Sequence, residues 1–274
     1  MSELSILSAL TFVLGISVVI YNVFRASMQK KSFYKDKHLG FYTRNRILTI
    51  SFSLFAATLI FLLFAFALFY AIKNRAGFTF QTNDLQYLIS VFFLGLLASF
   101  AVGCHAAAII TEKYIKSFGS FNHRDKNFKA IYLYNEFFHG PVGHVVGYSS
   151  FIAIMLVLAI LEKDYPVYFL SQNELVYYLI NGVVLATIFL YLQFKGLIWK
   201  HQIPWFGGIF ITHLLIIYYL GFNLTQLPFN VFFLVFQIIV NFGLAVKFVL
   251  YRRRKLYYPY NLKTLFDQLL KNPA

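Results

Sequence analysis

His105, His139, His144 and His213 stand within or beside long apolar stretches of the chain. An ionisable side chain is costly at membrane depth and turns to a bundle interior or a wet cavity. Imidazole nitrogens suit transition metals, and a pair of them suits axial haem ligation. Glu136 precedes His139 by three residues and so shares its helical face. The expected metal set is therefore His105, His139, His144, His213 and Glu136, with Glu136 as ligand or catalytic acid/base. For a haem, His105 and His213 are the expected cofactor-binding pair. Plainer readings stand beside these. His105 and His213 suit neutral hydrogen bonds across helices, and Glu136 and His139 suit a wet headgroup boundary. Glu112, seven residues after His105, is placed for an ordinary i,i+4 ion pair with Lys116. A single Glu-x-x-His falls short of a carboxylate-bridged di-metal bundle, which needs two such motifs. The stripe Ala98, Ala101 and Ala108 around His105 accepts either a flat cofactor or a neighbouring helix. Cys104, the single cysteine, forms no internal disulfide and points about 100° away from His105 on a helix.

The elements that must position these residues are seven apolar stretches, 4–24, 47–72, 87–111, 144–161, 175–194, 205–222 and 229–251. Each is about long enough to cross a hydrocarbon layer of roughly 30 Å at about 1.5 Å per residue. With 59% hydrophobic and 12% charged residues, the chain has too much apolar surface for a soluble globule. Of its 24 Lys and Arg, 21 fall on one set of sides and 3 on the other. The positive-inside rule makes the rich side cytoplasmic, with the N-terminus outside and the C-terminus inside. All four histidines then fall in the cytoplasmic half. The first stretch follows Glu3 with no basic residue before it, which predicts a retained span and no cleaved leader. The expected fold is an all-α integral membrane protein, a seven-transmembrane-helix bundle over 1–255, multi-pass in the plasma (inner) membrane.

Three further segments carry structural expectations. Over 127–147 the sequence reads NFKAIYLYNEFFHGPVGHVVG. Its aromatic first half suits an interfacial helix or an early start to the fourth span. Gly140-Pro141 then predicts a break or kink, because proline lacks the amide proton and clashes with the preceding turn. Gly95, Ser99 and Gly103 form a small-residue face for close helix packing. In 256–274, Leu262, Leu265, Phe266, Leu269 and Leu270 repeat at helical spacing. Following Arg252-Arg253-Arg254-Lys255, they predict an amphipathic tail on the cytoplasmic face, against anionic lipid headgroups or a membrane-protein partner.

These features exclude some functions and order others. A pI of about 9.7 does not signal nucleic-acid binding here, because no basic soluble domain exists to perform it. Seven spans invite comparison with retinal proteins, but Lys247 lies near the inner boundary and the third span has no central Asp or Glu as counter-ion. The preferred reading is a membrane-embedded transition-metal or haem protein, a redox or hydrolytic enzyme on a lipid-soluble substrate. One alternative is a small transporter or channel marked by Asn181, His213, Gln237 and Asn241. The other is a non-catalytic subunit or scaffold.

Overall fold

A computed structural model of the chain describes residues 2–30, 44–77, 80–117, 126–168, 170–195 and 199–253, with side chains described over most of them. The described residues are helical with no strand. In order they form α1 (Glu3–Lys30), α2 (Arg44–Lys73), α3 (Thr82–Ser117) and α4 (Lys126–Phe137). A π-helical segment (Phe138–Val146) then leads into α5 (Gly147–Asp164), α6 (Gln172–Lys195), α7 (Trp199–Leu220) and α8 (Pro228–Arg253). The tail 256–274 lies outside the described residues.

Six of these paths are long and apolar enough to cross a membrane, as an integral membrane protein of several spans requires. The described apolar part of α1, Glu3–Val19, is shorter than the other six. Large apolar side chains face outward, among them Phe12, Phe93 and Phe242, while Glu162, His213 and Asn230 are fully buried. This arrangement suits a lipid surround, in which apolar groups meet acyl chains and polar groups satisfy one another inside. The core runs along α5, which packs against α2, α3, α7 and α8; α6 lies along α8 and α1.

Two expectations are refined here. Gly140-Pro141 disturbs the fourth span without ending it: the helix turns from α to π around it, and the apolar path runs from Ile131 to Asp164. A π-helix bonds i to i+5, so its wider turn absorbs a residue that can neither donate an amide bond nor fit the α-helical register. The small-residue face is also only partly used. A Cβ on Gly95 would come within 2.7 Å of Leu62, so α2 closes on it, whereas a Cβ on Gly103 would meet nothing within 4 Å.

Candidate metal centre

The π segment brings the histidines together. It places His139 and His144 five residues apart, about one π turn, so that both rings lie on the side of α3 that carries His105. Ring centroids are 4.2 Å apart for His105 and His144, 4.8 Å for His105 and His139, and 5.3 Å for His139 and His144. One nitrogen from each falls within 4.8 Å of the other two. Ligands on a tetrahedral ion at about 2.0–2.1 Å sit about 3.4 Å apart, so small side-chain rotations close the set around a metal.

Gly143 makes this approach possible. A Cβ there would stand 2.6 Å from the Cβ of His105 and 3.0 Å from its Cα, closer than real contacts allow. One turn on, a Cβ on Gly147 would meet Ala101 at 3.6 Å. The stripe of Ala98, Ala101 and Ala108 is buried, and on its Ala101 edge the neighbour is another helix. From the far side Gln202 of α7 donates to the His144 carbonyl at 2.8 Å, tying the π segment to a third helix.

A long hydrogen bond of 3.4 Å links His105 Nδ1 to the His139 carbonyl. A carbonyl only accepts, so Nδ1 carries the proton and the lone pair of His105 is left on Nε2. Fixing a tautomer through the second nitrogen is how proteins orient metal-binding histidines.

Below the cluster lies a cavity of about 220 Å³ whose wall includes His105, Gly143, His144 and Tyr148. The rest is almost wholly apolar, with Leu10, Phe61, Phe151, Met155, Leu185, Phe189 and Phe236 among its lining.

The structure does not bring His213 to this group. Its Nδ1 is 2.7 Å from Gln237 Oε1 and its Nε2 is 3.0 Å from Asn230 Oδ1, so both nitrogens are engaged between α7 and α8. The reason lies in the helix start. α7 begins at Trp199, before the apolar stretch at 205, which moves His213 towards the opposite end of the bundle. The expected haem pair of His105 and His213 is therefore not formed. Glu136 lies on α4 but is not among the converging ligands, and neither is Cys104. Glu112 lies in α3, with its side chain outside the described set. Of the residues expected to mark a polar path, Asn181 donates to Ser8 of α1 at 3.1 Å and Asn241 to the Gln237 carbonyl at 2.9 Å.

At the other end is a set of charges that the sequence reading did not single out. Arg75 forms ion pairs with Glu3 and, at 2.8 Å, with Glu162. It also donates to the Tyr165 carbonyl at 2.6 Å. Glu162 accepts from the backbone N–H groups of Phe229 at 2.8 Å and Asn230 at 2.7 Å, and from the Asn230 amide at 2.8 Å. Those amides open α8, where the helix dipole favours an anion. Tyr165 donates to Asp84 close by, and burial, together with that bond, raises the Tyr165 phenol above its ordinary range. The available signal was that Glu3, Arg75 and Glu162 stand at the same end of three apolar stretches.

Comparison with protein families, with curated proteins and with solved structures gives no match to this chain.

Proposed function

We propose that this protein is a membrane-embedded metalloprotein whose ligands are His105, His139 and His144. The observation that carries the reading is the convergence of three ring nitrogens, from α3 and the π segment, to within 4.8 Å of one another. Three histidines are the ligand set of catalytic rather than structural zinc sites, leaving a coordination position for water or substrate. Copper also accepts such a set. When bound, the ion would act as a Lewis acid or activate a water molecule. The chain's own part is to orient the His105 imidazole through the His139 carbonyl, to hold the backbone at His144 through Gln202, and to keep the surroundings apolar.

The basic asymmetry of the loops, 21 against 3, supports an N-terminus outside and a metal centre towards the cytoplasmic leaflet. On this reading α1 is a seventh span and 256–274 an interfacial tail. The direct test is elemental analysis of the purified chain, with zinc or cobalt titration of metal-stripped protein. One ion per chain is expected, with uptake abolished in His105→Ala and His144→Ala. Wild-type protein that takes up neither ion, or variants that bind as wild type does, would overturn the assignment.

A further inference from the structure

We propose that the cavity beside the three histidines is a binding site for a lipophilic carboxylate, its head at the metal and its chain in the cavity; this rests on the metal-site reading above. The polarity of the cavity is segregated. His105, His144 and Tyr148 are ring neighbours on one part of the wall, and apart from Thr58 the remainder is built from groups such as Phe61, Leu185 and Phe189. The Tyr148 ring lies nearly parallel to that of His144, at 19° and 6.3 Å between centroids. It meets Phe189 edge-on at 5.4 Å. One continuous wall thus leads from a metal ligand to the apolar end.

An occupant matched to this wall has one polar terminus and an apolar body. The volume of about 220 Å³ exceeds the engineered cavity of about 150 Å³ that takes up benzene, so a short acyl chain or ring system fits. The head is identified by charge. Three neutral imidazoles leave a divalent ion its full charge in an apolar interior, where an uncompensated charge is expensive. A carboxylate oxygen at the vacant coordination position halves that charge. The Tyr148 hydroxyl, with no hydrogen-bond partner among the described residues, supplies a donor on the same wall.

The experiment uses full-length protein in detergent loaded with Co2+, whose visible d–d bands report its coordination. Decanoate, acetate and decanol are titrated separately. Decanoate should perturb the bands at least about tenfold more tightly than acetate, since each buried methylene adds to affinity, and decanol should leave them unchanged. Leu185→Trp, which fills the cavity away from the histidines, should erase the preference for decanoate over acetate while the cobalt spectrum persists. The milder Leu185→Phe, which should reduce that preference, covers failure of the larger variant to fold. Absence of any histidine-dependent cobalt spectrum sinks the metal centre itself. A normal cobalt spectrum with no chain-length preference, or with a preference that both variants retain, overturns the lipid site and leaves the metal centre standing.

Discussion

The two ends of the bundle handle buried polar groups in opposite ways. Around Glu3, Arg75 and Glu162, opposite charges meet, and the remaining valences are filled by the Tyr165 carbonyl and the first amides of α8. Such a set finds its partners within the protein. It joins α1, the turn that follows α2, α5 and α8. Around His105, His139 and His144, three groups of one kind converge instead, one nitrogen of each within 4.8 Å of the other two. On the reading proposed above, a cation is what would join them. The contrast sets charges that hold the fold against neutral groups of a metal-binding type.

Substitutions at each end test that contrast. The largest expected effect is from Glu162→Ala, which leaves Arg75 paired with Glu3 alone and strips the Phe229 and Asn230 donors at the start of α8 of their acceptor. A loss of about 3–5 kcal/mol is expected in thermal unfolding from these buried donors left unpaired, with metal stoichiometry unchanged in the protein that remains folded. Loss of metal at full stability would reverse the roles of the two ends. Next is metal itself. At about 100 times its dissociation constant, zinc should stabilise wild-type protein by about 2.7 kcal/mol, and His144→Ala should remove that gain while leaving the metal-free stability nearly intact. Gly143→Ala forces α3 and the π segment apart; overpacking of this kind costs about 1–3 kcal/mol. It should also weaken zinc affinity, measured by competition with a chelator. The smallest effect falls on His213→Ala, which unpairs Gln237 and Asn230 at a cost of about 1–2 kcal/mol. Zinc affinity should not change, and a large drop would return His213 to the metal centre.

The helices were legible from apolar length alone, and their ends were not. Charged and aromatic residues at the boundaries, such as Trp199 and Lys200 at the start of α7, continue a helix without adding to its hydropathy. That difference of six residues, about 9 Å along the helix axis, misplaced His213. Proline at 141 was legible as a disturbance, but whether the backbone breaks or widens depends on what packs against it, and His105 of α3 is what packs there. Of the histidines inferred to act together, three converge, and the close contact between their elements is at Gly143. Glu162 was hidden for a different reason: its partners come from Glu3, Arg75 and the start of α8, distant in the chain.

By itself the sequence determined that this chain is helical, apolar and asymmetric in charge, and that His105, His139 and His144 are ligand types placed deep within it. These are properties of composition and local spacing, which act through transfer to lipid and through helical period. Only the tertiary structure decided which histidines share a point. Ring convergence depends on the rotation of one helix against another, and that rotation is set by Gly143, Gly147 and the π turn acting together.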